Sequence, residues 1–388
     1  MSGFNPQVFQ WARESAGLGL EEAARAIHVV PASLEAIEKG AKEPSRTNLS
    51  NMARAYHRSL LSLYLAKPPP KGDRGQDFRT VTADRTVEAE ADIDALLRDI
   101  RVRQSLVREV LAEEEDAQRV RFIGSATMQQ GAAAVCRSIE AALGVTRQEF
   151  REQANTEQGF ALLRKRAEDI GIFVLLAGNL GSHHSAIPVE AFRGFAIADD
   201  LAPFIVINDG DARPAWSFTL VHELAHLWLG CTGVSGGAPE RDIEKFCNDV
   251  AGKFFLSAAE LAAVDIANLD VDAQIAVITE HASRWRVSRP MVAYGLLKAG
   301  RITHGNWNAI STELQDRWLA ERERTREIAR ARSEAGPSYY VVRRHRLGRA
   351  ILDFAHRAMD AGALSPAKAA KVLGVKPRTV YTLLADVS

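Results

Sequence analysis

One stretch, residues 212–230, constrains this chain more than any other: it reads as a single helix that sets His222 and His226 four residues apart, with Glu223 beside the first. Residues four apart share a helix face. Both imidazoles can then reach one metal ion, while Glu223, about 100° round the helix from His222, can stand next to a water at that ion. Metal-assisted peptide hydrolysis needs this set. The ion acidifies the water and polarises the scissile carbonyl; the carboxylate takes the proton and later passes it to the leaving amine.

Catalytic zinc usually keeps three protein ligands and one open position. Glu244, on the next expected helix (239–256), is the strongest third ligand, and Asn248 one turn further on can support a ligand from behind. On spacing alone, Glu240, Asp242, Cys231 and Cys247 remain rivals. Imidazole and carboxylate donors suit Zn2+ but also accept Mn2+ or Fe2+.

Just before this helix, residues 172–176, 194–198 and 204–207 are short apolar runs bounded by Gly, Asn, Asp and Pro, and they read as a small sheet. Almost everything else has helical spacing. Short helices are expected at 8–15, 20–27, 32–39 and 46–65, and a long polar one from 87 to about 119. Further helices are expected at 129–143, 156–170 and 272–285, a charged one at 306–334, and helix again from 339 onward. The expected fold is mainly α with a small β-sheet: an α+β, zincin-like peptidase domain with helical domains at both ends. Lys67-Pro68-Pro69-Pro70-Lys71 marks a stiff break. The expected domains are therefore 1–66, a linker at 67–86, the peptidase with its helical approach at 87–335, and 336–388.

Lys and Arg balance Asp and Glu at 49 each, so no global field draws the chain to nucleic acid or an anionic membrane. Three cysteines are too few for a disulfide framework, and no run approaches the roughly 20 apolar residues of a membrane span. These features, with no apolar leader after Met1, give the expectation of a soluble, cytoplasmic protein with no membrane partner.

The run from Phe218-Thr219-Leu220-Val221 into His222-Glu223-Leu224-Ala225-His226, followed by Glu244-Lys245-Phe246-Cys247-Asn248 and its apolar continuation, resembles the ImmA/IrrE family of metallo-endopeptidases. The likeness covers about residues 155–300 and departs from the family at Ala225, where Gly is common, and at Phe255-Leu256-Ser257. It implies His222, His226 and Glu244 as metal ligands and Glu223 as general base. It also implies limited proteolysis of a transcriptional repressor, itself a helix-turn-helix protein, under stress or mobile-element control. His183, His184, His281 and Tyr294 are candidate oxyanion donors.

Residues 20–40 have helix-turn-helix spacing, with Ala23, Ala24 and Ile27 before the turn and Leu34 and Ile37 after it. With Trp11-Ala12-Arg13 ahead and Met52-Ala53 behind, the segment resembles the Xre/Cro-type repressor domain. His28 falls where such turns favour glycine. The C-terminal block repeats the pattern through Ala370, Gly374, Val375, Val380 and Leu383, and carries nine Lys/Arg against three Asp/Glu from residue 343 onward. DNA is thus a partner open to either end. The alternative to a peptidase is a DNA-binding regulator or toxin–antitoxin component whose peptidase fold mainly binds protein.

Overall fold

The computed structural model describes residues 4–69, 87–114, 118–181, 185–231, 238–331 and 338–385. Most of the expected linker at 67–86, namely residues 70–86, lies outside the described residues. Helices dominate, one three-stranded sheet is present, and no described helix is long and apolar enough to cross a membrane. The chain divides into two compact units, Met1–Arg103 with Gly178–Phe192, and Gln104–Ala177 with Arg193–Ser388.

The first unit opens with α1 (Pro6–Glu14), α2 (Leu20–Ala26), α3 (Pro31–Glu38) and α4 (Arg46–Ala55). Asn5 caps α1 by accepting from the Gln7 amide, and Ser45 caps α4 through Asn48. Phe9, Ala12, Ala24, Ile27, Leu34, Ile37 and Met52 fill the core between the helices. Arg13 grips Glu38 with two parallel bonds of 2.8 and 2.9 Å, fixing α1 against α3. The α2–α3 turn runs through His28 at φ +62°, where the Val29 amide donates to the Ala24 carbonyl at 2.9 Å. The expected single helix over 46–65 breaks: α4 stops at Ala55, His57 turns left-handed at φ +49°, and Ser59 starts a separate 3-10 turn, Leu60–Tyr64. Helix α5 (Val87–Glu113) supplies residues to both units and ends earlier than expected.

The second unit continues with α6 (Ala132–Leu143), α7 (Arg147–Arg151) and α8 (Thr156–Asp169), then β1 (Phe173–Leu176), β2 (Gly194–Ile197) and β3 (Phe204–Ile207). The sheet order is β1-β3-β2, with β1 parallel and β2 antiparallel to β3. Every residue of β1 and β3 is buried, as expected for strands covered on both faces. Helix α9 (Arg213–Leu229) lies against β2 and β3, and α10 (Ala238–Phe255) packs on α9 and α6. There follow α11 (Ala258–Ala262), α12 (Val271–Trp285), α13 (Arg289–Lys298) and α14 (His304–Ala331), and then α15 (Tyr339–Leu347), α16 (Arg349–Asp360), α17 (Pro366–Leu373) and α18 (Val380–Leu384).

Two sets of arginines hold this unit together. Arg147 and Arg151 donate to the last carbonyls of α10: Lys253 at 2.6 Å, Phe254 at 3.0 Å and Phe255 at 2.8 Å. A helix C-terminus lacks internal donors for these groups and favours positive charge. Arg151 also pairs with Glu260, which accepts from the Ser257 amide and hydroxyl at the start of α11. Buried Arg164 reaches the carbonyls of His345 (2.6 Å), Arg346 (3.1 Å) and Val174 (2.5 Å), and its partner Glu168 accepts from the Arg349 amide at 3.1 Å. Arg346 pairs with Asp209 at 2.7 Å. The C-terminal helices are thereby fastened to α8 and β1.

Two measurable consequences follow. A left-handed conformation costs a residue with a Cβ about 1–2 kcal/mol, so His28→Gly should stabilise the first unit by up to about 1 kcal/mol. Slower amide exchange in α2 and α3 would register it; faster exchange would contradict it. The Arg151 guanidinium and the Ser257 donors hold the Glu260 carboxyl down to about 2, against an ordinary 4.5. A lowered carboxyl stabilises the fold above its ordinary range and loses that contribution as pH falls toward the lowered value. Glu260→Gln should therefore cost about 1 kcal/mol at neutral pH, with the deficit in urea denaturation closing between about pH 5 and pH 2.

Candidate metal centre

Helix α9 is buried round most of its circumference, from Trp216 to Trp228. Its C-terminal end is tied down by a neighbouring segment: the Gly124 amide donates to the Leu227 carbonyl at 3.0 Å and the Ala126 amide to Trp228 at 2.9 Å. Phe122 stacks on the Trp228 ring at 4.2 Å, and the Trp228 indole donates to Ser138 at 3.0 Å. Gly230 then ends the helix.

On this fixed helix His222 and His226 point their Nε2 atoms at one place, 3.2 Å apart. Glu244 comes in from α10 and offers one carboxylate oxygen to each imidazole, both at 3.2 Å. A tetrahedral ion with N and O ligands at about 2.0–2.1 Å would space its donors by roughly 3.3 Å, so the observed triangle has the size such an ion requires. With both imidazoles deprotonated at Nε2, their lone pairs and the Glu244 carboxylate oxygens converge on one place, as the donors of a cation must. The donor set therefore fits a divalent metal.

The local electrostatics agree. Burial favours the neutral form of Glu244, but His222 and His226 outweigh it and hold the carboxyl well below the usual range. Burial lowers His226, while at His222 Glu244 and Glu223 overcome burial and raise it. Asn248 lies near enough to favour the charged form of His222, although among the described residues no full hydrogen bond reaches Nδ1 of either histidine.

Glu223 is buried on the same helix. Its carboxylate is seated by a feature the sequence does not advertise. A Cβ added at Gly194, the first residue of β2, would lie 2.9 Å from Glu223 Oε1, 2.6 Å from Thr219 Cγ2 and 3.1 Å from the Val206 carbonyl. Only glycine lets strand and helix approach this closely.

The rival ligands stand elsewhere. Asp242 is exposed and faces Lys245 at 3.9 Å. Cys247 is fully buried, and burial, reinforced by Glu244 and Glu223, raises its thiol well above the ordinary range. Cys231 directs its sulfur to the Leu229 carbonyl at 3.8 Å. The side chain of Glu240 lies outside the described residues. Among the described residues, His222, His226 and Glu244 are the group of His, Cys, Asp and Glu that could hold an ion. Of the candidate oxyanion donors, His183 and His184 lie outside the described residues. His281 bonds the Val277 carbonyl at 3.0 Å and abuts Trp285, while Tyr294 stands beside Lys298.

Gly194→Ala should separate α9 from β2 and displace Glu223, costing about 1–3 kcal/mol of stability by overpacking. The metal ligands are on other atoms, so bound metal per chain should survive while any hydrolytic activity drops. Unchanged stability and activity would refute the close approach.

A family model described as the IrrE N-terminal-like domain, of the peptidase M78 group, matches residues 167–297. A second, described as a helix-turn-helix domain, matches residues 7–60. No curated protein and no solved structure matches the chain. The first match spans the sheet, α9, α10 and the whole donor triangle, and the second spans α1 to α4. Residues 167–297 are thus similar to the IrrE N-terminal-like domain, and residues 7–60 of the same chain to a helix-turn-helix domain.

Proposed function

We propose that this protein is a zinc-dependent endopeptidase that performs limited, regulatory proteolysis. The observation that carries the reading is the convergence of His222 and His226 Nε2, 3.2 Å apart, with one Glu244 carboxylate oxygen 3.2 Å from each, and buried Glu223 on the same helix. When bound at those three side chains, zinc would supply Lewis acidity to a water and to the scissile carbonyl. Glu223 accepts the proton of the attacking water and hands it to the departing amine. Glu244 neutralises charge at the centre, and Gly194 keeps the Glu223 carboxylate in its seat. Mn2+ or Fe2+ would suit the same donors.

The substrate we propose is a protein, specifically a helix-turn-helix transcriptional repressor. Support for a regulatory role comes from the helix-turn-helix domain at residues 7–60, which ties the peptidase to transcription control. That same domain favours a second reading, in which the chain is a DNA-binding regulator or toxin–antitoxin component and the peptidase fold serves as a protein-binding surface.

One pair of variants separates them. Glu223→Gln should retain bound zinc but lose at least about a hundredfold in cleavage of a neighbouring-gene repressor, the usual contribution of a general base. Glu244→Ala should lose the metal itself, measured by elemental analysis. Cleavage unaffected by Glu223→Gln would sink the peptidase reading and leave the binding one.

A further inference from the structure

The C-terminal helices, which neither family model covers, reproduce the turn of the N-terminal helix-turn-helix residue for residue. A constant offset of 346 residues pairs Ala24 with Ala370, His28 with Gly374, Val29 with Val375, Pro31 with Pro377, Leu34 with Val380 and Ile37 with Leu383. The conformations agree as well as the letters. His28 and Gly374 are left-handed at φ +62° and +59°. In each turn the following valine donates to the paired alanine carbonyl at 2.9 Å. Proline opens the second helical segment in both, and the pairs Ala24 and Ala370, Leu34 and Val380, and Ile37 and Leu383 are buried in both.

The two copies differ on the outward face of that second segment, which in helix-turn-helix proteins enters the major groove. In the first copy α3 contains no Lys or Arg, and the carboxylate on its outward face is Glu35, Glu38 being turned inward to Arg13. In the second, the positions equivalent to Val30, Ala32 and Glu35 are Lys376, Arg378 and Tyr381. All three are exposed, with Tyr381 at 64%. The backbone that presents them is braced: Arg343 donates to the Leu373 and Gly374 carbonyls at 2.8 and 2.7 Å, and Arg344 to those of Leu383 and Thr382, both at 2.9 Å.

We propose that α17, its turn and α18 form a second helix-turn-helix that binds duplex DNA, with Lys376 and Arg378 on phosphates and Tyr381 beside them. Charge complementarity selects the partner. The segment from residue 343 onward has nine Lys/Arg and three Asp/Glu, against seven and six in residues 1–66. Part of that positive charge serves the fold: Arg346 faces Asp209, Arg349 faces Asp353 and Lys368 faces Glu109. The surplus at the second helical segment faces solvent. This surface stands independently of the peptidase reading.

The test uses the full chain and a fluorescent mixed-sequence duplex of about 30 base pairs, titrated from about 50 to about 200 mM salt, a range over which phosphate neutralisation is read from the slope. The pair Lys376→Glu with Arg378→Glu changes exposed side chains outside the core. It should weaken binding at least about tenfold and flatten the log–log salt slope by about two, one for each phosphate no longer neutralised. A photoreactive benzophenone side chain at position 381 should cross-link to the duplex. Unchanged affinity and slope in the pair would overturn the proposal, as would a wild-type chain that does not bind. So would loss of binding in Lys39→Glu with Lys42→Glu while the C-terminal pair binds normally, which would move the DNA to the first copy. Cross-linking at 381 to protein instead of DNA would overturn it too.

Discussion

Glu244 has to reach two imidazoles across the gap between α9 and α10, and most of the second unit serves that reach. A carboxylate on one helix and two rings on another hold their spacing only if both helices are fixed in translation and rotation. The Gly124 and Ala126 amides and the stacked Phe122 fix the end of α9. Arg147 and Arg151 fix the end of α10 by supplying donors to three carbonyls that a helix C-terminus leaves without internal partners. Both anchors lie outside the donor triangle, yet a small shift in either would change distances that metal coordination tolerates to only about 0.2 Å.

The donor triangle and the helix-turn-helix segments sit on supports of different kinds. The donor triangle is buried among packed helices, where removing solvent strengthens each electrostatic interaction. The helix-turn-helix segments instead present side chains to water and depend on a tight left-handed turn for their shape. His28 and Gly374 occupy the same conformation with different ease, so the first turn carries strain that the second avoids although their backbones match.

Much of this was legible in the sequence. The spacing of His222 and His226 fixed a shared helix face, and the apolar runs at 172–176, 194–198 and 204–207 marked the three strands to within a residue. Glu244 was the leading third ligand because it fell on the next helix, but only the packing of α10 on α9 separates it from Asp242, two residues earlier and exposed. Other features left no trace in pattern. Helices α7 and α11 have five residues each, too short for periodicity, and are announced only by their capping residues Thr146 and Ser257. The seat that Gly194 makes for Glu223 joins residues far apart in the chain. The break after Ala55 was hidden because Leu60, Leu61 and Leu63 continue an apolar run past His57.

Arg164 also guards the sheet. The amides of Phe173 and Ala177 bond inward to β3, so Val174 turns its carbonyl out along the free side of β1, where the Arg164 guanidinium takes it at 2.5 Å. A side chain thereby occupies the place another strand would fill. An edge of Phe173, Val174, Leu175 and Leu176 is an inviting template for a neighbouring chain when left bare. Shortening the protein ahead of residue 338 would strip away the helices that lie over this edge and leave the guanidinium without the His345 and Arg346 carbonyls. The first sign of that damage would be sheet-to-sheet sticking between molecules. The last fifty residues are in this sense the cover of a strand edge.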